Sequence, residues 1–314
     1  MQSILTGFRL CNSLALCCVF FSCDKTPKKV NYLRGFELGT TYNIQYISNL
    51  PQLEVQKGID SIFYIINKSL STYLPHSDIS KINEGDTSIV VDHHFRAVFE
   101  KATEVWRATG GYFDPTVGAL VNAYGFGPGK SINDLNTKQK DSLLSLTGWQ
   151  KVKLMNDHTI EKESPFIYLD FNALAKGYAA DVIGNYLYKL GNKSYMVEIG
   201  GEVVTKGKSP KTGQDWKIAI EDPIQNVDRK FLQTLTLNDE ALASSGNYRK
   251  YRIDTITNER FVHSINPLTG SAKKTKILST SVKAPDCITA DAWATALMVM
   301  SLEKGKILID NDPE

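Results

Sequence analysis

The chain has 314 residues, with 36 basic and 34 acidic side chains, so its formal net charge is only +2. Apolar residues make up 42% of the sequence and charged residues 22%, which is typical of a globular protein and excludes a disordered, collagen-like or coiled-coil chain. The charge lacks the cationic surplus with which proteins bind nucleic acid non-specifically. The composition therefore predicts a folded protein with no nucleic-acid partner.

The N-terminus has the pattern of an export signal. Residues 10–22 are mostly apolar, a run too short to span a bilayer but typical of a secretory signal peptide. Cys23 follows directly, as in a bacterial lipobox, and the next residues are polar. We expect residues 1–22 to be cleaved as a lipoprotein signal peptide, Cys23 to be lipidated, and residues 23–34 to form a tether. An uncleaved anchor and a secretory signal without lipid are the alternatives.

Lipid on Cys23 would hold the protein at a membrane, since several acyl chains on one cysteine suffice for stable anchoring. We therefore expect a lipid-anchored protein of the bacterial cell envelope. Its expected place is the periplasmic face, with the inner membrane favoured over the outer.

Beyond this leader the apolar pattern alternates between helical and strand periods. Helices are predicted over 53–70, 94–109, 137–147, 176–190 and 289–303, with a polar loop at His93 and His94. Strands are predicted over 36–48, 150–154, 166–171, 195–199, 216–221, 232–237 and 277–282. Because strands and helices occur in clusters rather than in strict alternation, we predict an α+β fold with antiparallel sheet, in one domain over 35–314.

The last predicted helix carries a candidate metal site. Asp291 and Thr295 lie one helical turn apart on the same face. A carboxylate and a hydroxyl oxygen suit Mg²⁺, which binds few protein oxygens together with substrate phosphates. Thr289 is positioned to cap the start of this helix. The alternative is that Asp291 only interacts with the helix dipole and Thr295 only packs.

A second segment, residues 169–181, joins a predicted strand to the helix that is predicted to start near Lys176. A lysine at a helix N-terminus opposes the helix dipole unless an anion lies there. Lys176 therefore indicates a bound phosphate or similar group. The alternative is a solvated lysine, with Asp170 as a turn residue.

Four other segments place glycines beside polar or aromatic residues. Residues 109–118 combine a glycine pair with aromatic side chains that could stack on a planar ring. Residues 197–202 form a strand that ends in a glycine pair, and 244–249 form a polar turn. In 263–270, His263 is a candidate general base near neutral pH, although a lone histidine is more often structural.

Taken in order along the chain, these motifs resemble the ApbE family, the FAD:protein FMN transferases. The carriers are 38–42 (LGTTY), 70–80 (LSTYLPHSDIS), 111–118 (GYFDPTVG), 124–127 (YGFG), 169–181 (LDFNALAKGYAAD), 199–202 (IGGE), 245–248 (SGNY), 263–270 (HSINPLTG) and 289–297 (TADAWATAL). The resemblance implies an ApbE-like fold, related to the T-fold, with mixed and antiparallel sheets flanked by helices. It also implies an FAD cleft between the two halves.

The resemblance further implies an activity. Members of this family cleave FAD between its two phosphates, attach FMN through a phosphoester bond to a Thr or Ser of another protein, and release AMP. They require a divalent metal, usually Mg²⁺. Their acceptors are subunits of Na⁺-translocating quinone reductase and of Rnf-type electron-transport complexes. For this chain the resemblance therefore implies FAD as substrate, Mg²⁺ as cofactor and an extracytoplasmic redox-complex subunit as acceptor.

Carried over position by position, the resemblance also implies site residues. The metal ligands would be Asp291, Thr295 and the backbone carbonyl of Ala173. The FAD contacts would be Leu38, Tyr73, Tyr112, Phe113, Asp114, Asp170, Lys176 and Ile265. Separately from the resemblance, the physics of phosphoryl transfer suggests catalytic roles as hypotheses: Mg²⁺ and Lys176 would neutralise charge as AMP leaves, and His263 would take the proton of the acceptor hydroxyl, with Asp170 as second candidate.

Two departures from the family pattern stand out. Glu202 and Asn266 occupy places where the family usually has Asp, and the chain stops at Glu314, where family members continue through further strands; we expect a missing C-terminal piece. A Mg²⁺-dependent FAD pyrophosphatase that uses water as acceptor is an alternative function. Two others are a non-enzymatic FAD-binding lipoprotein and a surface lipoprotein with no flavin role.

Overall fold

The computed structural model describes residues 29–132, 135–224, 230–247, 251–253, 260–273 and 275–311. The predicted signal peptide and the lipidation site at Cys23 lie outside the described residues. Within the described part of the chain, no helix has both the length and the apolar content needed to cross a bilayer.

Helices and strands follow one another in clusters. The helices are α1 (Gln52–Leu70), α2 (Asp78–Asn83), α3 (His93–Ala108), α4 (Gly118–Ala123), α5 (Thr137–Leu144), α6 (Asn172–Lys189), α7 (Cys287–Leu297) and α8 (Leu302–Asp310). The strands are β1 (Lys29–Glu37), β2 (Thr40–Ser48), β3 (Val152–Leu154), β4 (Ile160–Lys162), β5 (Tyr195–Ile199), β6 (Glu202–Lys206), β7 (Trp216–Glu221), β8 (Phe231–Leu237), β9 (Ala241–Gly246), β10 (Tyr251–Ile253), β11 (Arg260–Asn266), β12 (Ser271–Lys273) and β13 (Ser279–Ala284).

The main sheet has the strand order β1-β2-β5-β6-β9-β13, and each neighbouring pair is antiparallel. Helices α6 and α7 pack against each other and against the inner strands of this sheet. Small antiparallel sheets are formed by β3 with β4, by β7 with β8, and by β10, β11 and β12. The predicted α+β fold with antiparallel sheets is confirmed.

The predicted strand over 36–48 is in fact a hairpin. Leu38 and Gly39 have positive φ values of 52° and 72° and form a two-residue turn between β1 and β2, since tight hairpins need φ > 0 at both central residues. Strand β1 starts at Lys29, inside the range 23–34 that the sequence assigns to a tether. Residues 29–34 belong to the sheet because Asn31 and Leu33 alternate inward and are buried.

Two predictions around α6 were wrong. The helix begins at Asn172 rather than near Lys176, so Lys176 lies in its second turn and no longer opposes the dipole at an exposed N-terminus. Residues 166–171 do not form a regular strand. Phe166 lies in a turn, Phe171 has φ −100° and ψ 14°, and the ladder contact of this segment is a single parallel bridge between Val117 and Tyr168.

Other boundaries also differ. The pair His93 and His94 begins α3 instead of forming a loop, because Asp92 caps this helix by accepting a hydrogen bond from the Phe95 amide at 2.8 Å. The predicted helix over 289–303 is divided into α7 and α8. Asp286, rather than Thr289, caps α7: its carboxylate accepts from the Thr289 amide at 2.9 Å.

Candidate active site

The candidate site is built around the close contact of α6 and α7. A Cβ atom at Gly177 would lie 2.4 Å from the Cys287 carbonyl oxygen and 2.9 Å from the Asp291 Cβ. Such distances are incompatible with any side chain unless the backbone moves. Glycine at this position therefore lets the two helices approach until their polar side chains meet.

Hydrogen bonds cross this contact in both directions. The Asp181 carboxylate on α6 accepts bonds from the backbone amides of Cys287 and Ile288, each at 2.9 Å, and so caps the start of α7. In return, Asp291 Oδ2 on α7 accepts a bond from the Gly177 amide at 3.1 Å. Burial raises the pKa of Asp181 to about 7, although the hydrogen bonds from the two backbone amides act in the opposite direction. The reciprocal bonds fix the two helices relative to each other.

Lys176, Asp291 and Glu202 form a charged cluster next to this contact. The Lys176 ammonium lies 3.3 Å from Glu202 Oε2 and 3.5 Å from Asp291 Oδ2. Burial alone would lower the pKa of Lys176, but the charges of the two carboxylates raise it above its ordinary value. Burial raises the pKa of Asp291, with Lys176 opposing this shift and Glu202 adding to it. One cation facing two buried carboxylates leaves room for a further positive charge.

The residues that the resemblance assigns to a metal lie on both sides of the same contact. Thr295 follows Asp291 by one turn of α7, and its hydroxyl is 3.3 Å from the Ser245 hydroxyl. Ala173 lies in the first turn of α6. In a regular helix the Gly177 amide points at the Ala173 carbonyl, and here that amide also lies within bonding distance of Asp291.

Their chemistry fits a hard cation. Two side-chain oxygens and a carbonyl are a donor set that Mg²⁺ accepts when phosphates complete its coordination. Within the described ranges, no cluster of three or more His, Cys, Asp or Glu side chains is placed to hold a metal. The three oxygens alone would therefore form an incomplete site, which suits an ion that is bound together with its substrate.

A second polar group lies at the N-terminus of α6. Asp170 accepts a hydrogen bond from the Asn172 amide at 2.8 Å, and the Asn172 side chain donates to the Thr72 hydroxyl at 3.3 Å. Burial raises the pKa of Asp170. Burial and, to a lesser degree, the charge of Asp170 raise the pKa of Tyr73, whose side chain is nevertheless 58% exposed. An accessible ring thus lies near a buried carboxyl group.

Sequence reasoning missed the residues that hold this second group in place. The side-chain amide of Asn83 accepts a hydrogen bond from the Leu169 backbone N–H at 2.8 Å and donates one to the Leu169 carbonyl at 2.9 Å, as a neighbouring strand would. The Lys162 ammonium donates to the carbonyls of Ile82, Pro165 and Ile167 at 2.7, 3.1 and 2.9 Å. Burial lowers the pKa of Lys162 to about 8. These contacts fix the extended segment that leads into Asp170.

Sequence reasoning also assigned no role to Asp181, although a signal was present. Gly177 and Asp181 are one turn apart on α6, so a small residue and a carboxylate share one helical face. That pairing indicates that another element packs closely against this face and that its backbone amides donate hydrogen bonds to the carboxylate.

The loop at 111–118 is organised by Asp114. Its carboxylate accepts bonds from the Thr116 amide at 2.8 Å, from the Thr116 hydroxyl at 2.5 Å and from the Trp149 amide at 2.9 Å. Burial raises the pKa of Asp114, and these bonds oppose the shift. Phe113 is buried and Tyr112 is half-buried. The Asp170 amide donates to the Pro115 carbonyl at 2.8 Å, which joins this loop to the segment before α6.

The remaining predicted residues lie on other elements. Leu38 is half-buried in the turn between β1 and β2 and packs against the main core. Ile265 on β11 belongs to a smaller apolar cluster with Leu120. His263, also on β11, has its ring centroid 6.4 Å from that of Phe126. The structure thus gathers Tyr73, Asp170, Ala173, Lys176, Asp291 and Thr295 around α6 and α7.

A surface groove of about 530 Å³ lies apart from the charged cluster. Trp106, Arg107 and Leu268 are among its lining residues, and it shares only Asp114 with the predicted FAD contacts. Its size suits a small molecule, but its lining does not include Lys176 or Asp291. We therefore place the candidate chemistry at the α6–α7 contact and not in this groove.

Comparisons with known proteins agree on one group of enzymes. The model of the ApbE family matches residues 38–314. The FAD:protein FMN transferase of Vibrio cholerae serotype O1 is 36% identical, covering 93% of this chain and 88% of that protein. The Haemophilus influenzae protein of the same name is 33% identical, covering 97% and 89%.

Solved structures give the same result. The flavin transferase ApbE from Vibrio cholerae is 34% identical to this chain, with a TM-score of 0.80 over 91% of this chain and 92% of that one. The apo form of the Pseudomonas stutzeri flavinyl transferase ApbE is 30% identical, with a TM-score of 0.79 over 91% and 89%.

Proposed function

This chain belongs to the ApbE family of transferases, and from that premise we propose that it transfers the FMN part of FAD to a hydroxyl group of another protein. The observation that carries the proposal is the buried cluster of Lys176, Asp291 and Glu202 at the contact of α6 and α7. A lysine with two carboxylates, and a hydroxyl one turn away, can bind a diphosphate together with a cation.

The reaction is a phosphoryl-group transfer. The acceptor hydroxyl oxygen forms a bond to the phosphorus on the FMN side of the diphosphate, and the bond from that phosphorus to the AMP oxygen breaks. The protein must hold the two oxygens in line and neutralise the charge that develops on AMP. Lys176 supplies positive charge for this purpose. His263 takes the proton from the hydroxyl, with Asp170 as the second candidate.

We also propose that the protein depends on Mg²⁺. Asp291, Thr295 and the carbonyl of Ala173 would hold the ion, which when bound would withdraw charge from the phosphates. The proposed FAD contacts are those implied by the resemblance: Leu38, Tyr73, Tyr112, Phe113, Asp114, Asp170, Lys176 and Ile265. The exposed ring of Tyr73 and the buried carboxyl of Asp170 support an FAD site that reaches from the charged cluster to the N-terminus of α6.

The proposed setting is the periplasmic face of a bacterial membrane, with a lipid on Cys23. The support is the apolar run at 10–22 followed by that cysteine. The proposed acceptor is an extracytoplasmic subunit of a Na⁺-translocating quinone reductase or an Rnf-type complex, modified on Thr or Ser.

A single incubation separates this proposal from its alternatives. The purified protein is mixed with FAD, Mg²⁺ and a candidate acceptor, and the products are resolved by gel and chromatography. In-gel flavin fluorescence on the acceptor together with AMP supports transfer. Free FMN and AMP without labelled acceptor would instead indicate a pyrophosphatase, and unchanged FAD would indicate binding only.

Asp291→Ala tests the proposed metal site. We expect turnover to fall at least a hundredfold, because the variant loses the carboxylate of a site that has only one. The measurement is transfer rate against Mg²⁺ concentration. Thr295→Ser, which keeps the hydroxyl, is the matched control and should retain most of the activity. Wild-type turnover by Asp291→Ala at low Mg²⁺ would remove Asp291 from the ligand set.

His263→Ala tests the proposed general base. General base catalysis contributes roughly 10²- to 10⁴-fold to a rate, so we expect transfer to a protein acceptor to fall within that range while FAD affinity stays the same. The pH profile of the residual rate should lose the limb that belongs to the histidine. Full transfer activity in the variant would assign the base to another residue, with Asp170→Asn as the next test.

A further inference from the structure

Asn247 is a buried polar side chain without a hydrogen-bond partner. It is only 4% exposed, and neither its Oδ1 nor its Nδ2 atom has a partner in the described structure. Its backbone groups are bonded: the amide donates to the Leu278 carbonyl at 3.2 Å, and the carbonyl accepts from Arg260 Nη2 at 3.4 Å. An unpaired buried polar group destabilises the folded protein. The fold thus retains a polar group that weakens it.

Asn247 directly follows strand β9, which carries the hydroxyl that lies next to Thr295. Gly246 is paired with Ser279 in the β9–β13 ladder, and the bond from Asn247 to Leu278 continues that pairing by one residue. Asn247 itself lies in the turn that follows β9, two residues beyond Ser245. The Ser245 hydroxyl is 3.3 Å from that of Thr295. Asn247 therefore lies at the end of the strand that contacts α7 through Ser245.

Arg260 adds positive charge at the same place. Its guanidinium carbon lies 3.7 Å from the centroid of the Tyr251 ring, and one of its nitrogens holds the Asn247 carbonyl. The Nε atom of Arg260 is buried and has no hydrogen-bond partner in the described structure. Arginine is suited to phosphate groups because its donors form a rigid fork. A cation and an amide, both with unpaired donors, thus lie side by side.

The unpaired atoms indicate the kind of ligand. The Nδ2 group needs an acceptor such as a phosphate oxygen, whereas Oδ1 needs a donor such as a hydroxyl. Inorganic diphosphate offers acceptors only, so it would leave Oδ1 unpaired. A sugar-alcohol phosphate, which carries phosphate oxygens next to hydroxyl groups, satisfies both atoms. The ribityl phosphate part of FAD has this chemistry.

We propose that Asn247 is a substrate-binding residue that hydrogen-bonds the ribityl phosphate part of FAD, with Arg260 as the neighbouring cation. This inference rests on the proposed function, since it takes FAD as the substrate. It assigns a role to a residue of the 245–248 motif. None of the site residues predicted from the sequence lies in that motif.

The test is Asn247→Leu, which removes both polar atoms and keeps a similar volume. Because an unpaired buried amide destabilises the free protein, we expect the variant to have an equal or higher melting temperature without FAD. We expect its Kd for FAD to rise about tenfold, the loss of one good polar contact. Melting is followed by circular dichroism, and FAD binding by quenching of flavin fluorescence without acceptor.

Asn31→Leu is the matched control. Asn31 is equally buried, but its amide donates to the carbonyls of Lys29 and Ser48, both at 3.0 Å. Its replacement should lower the melting temperature and leave the Kd for FAD unchanged. The two variants therefore differ in the sign of the stability change and in the effect on binding.

Two results would overturn the inference. An unchanged Kd in Asn247→Leu would show that the amide does not contact FAD. A lower melting temperature together with weaker binding would mean that Asn247 has a structural role like that of Asn31. Because binding is measured without acceptor, failure of FMN transfer by the wild type would overturn the proposed function and not this inference.

Discussion

Two parts of α6, its first turn and its middle, have different roles. Its first turn lies beside Asp170 and the exposed ring of Tyr73, where polar groups meet solvent. Its middle contacts α7 closely, since a Cβ atom at Gly177 would clash with Cys287 and the Asp181 carboxylate accepts hydrogen bonds from the start of α7. One helix therefore both fixes the spacing between the proposed site residues on α6 and α7 and, at its start, lies next to groups that are exposed to solvent. Substitutions in the middle should affect stability, and substitutions at the start should affect binding.

Gly177→Ala should give the largest loss of stability. The new Cβ would meet the Cys287 carbonyl at 2.4 Å, and a backbone group cannot move aside as a side chain can. We expect about 3 kcal/mol of destabilisation from overpacking, which exceeds the gain of roughly 1 kcal/mol in helix propensity. The measurement is the free energy of unfolding in urea.

Gly184→Ala on the same helix is the control for that comparison. Its Cβ would meet the side-chain ring of Tyr195 at 2.9 Å, and this ring can shift. We expect a loss of about 1 kcal/mol or less. Equal losses of stability in the two variants would contradict the view that α6 packs more tightly against α7 than against Tyr195 on β5.

Asp181→Asn should have an intermediate effect that depends on pH. The variant keeps one acceptor for two amides, so we expect a loss of about 1 kcal/mol at pH 5. Since burial raises the pKa of Asp181 to about 7 in the folded state, the folded state binds more protons than the unfolded state between about pH 4 and 7. This group therefore lowers the stability of the wild type as pH rises through that window. The free energy of unfolding of the variant should therefore fall less than that of the wild type between pH 5 and 7.5.

Urea unfolding of both proteins at pH 5 and pH 7.5 measures this difference in slope. Asp286→Asn is the control, because asparagine is as good an N-cap as aspartate and α7 would keep its cap. Parallel pH dependences for the wild type and Asp181→Asn would mean that the buried carboxylate does not retain its proton in this range.

Much of this architecture could be predicted from local patterns. Strands β5 and β7 were predicted with their observed bounds because apolar residues alternate along them. The predictions failed where distant contacts decide the structure. The segment before α6 is held by Asn83, which pairs with the backbone of Leu169, 86 positions away, and no local pattern contains that pairing. The sequence predicts the start of α6 near Lys176 rather than at Asn172, because Asn172 is polar and does not belong to the apolar repeat that indicates the helix.

The candidate site shows the same division. Asp291 and Thr295 were found because their spacing puts both oxygens on one helical face. The sequence indicates Glu202 only as a departure from the family pattern, yet its Oε2 atom lies 3.3 Å from the Lys176 ammonium. Its part in the cluster depends on how β6 lies next to α6, which is a property of the sheet and not of the segment 199–202.

Tyr73→Ala should have the smallest effect on stability and still weaken FAD binding. A side chain that is 58% exposed contributes little to the core, so we expect the free energy of unfolding to change by no more than about 0.5 kcal/mol. An aromatic contact contributes about 0.5–1.5 kcal/mol, so the Kd for FAD should rise about two- to tenfold, whereas Tyr73→Phe should bind almost as well as the wild type. A stability loss as large as that of Gly177→Ala would contradict this contrast, because the surroundings of the first turn of α6 would then be structural too.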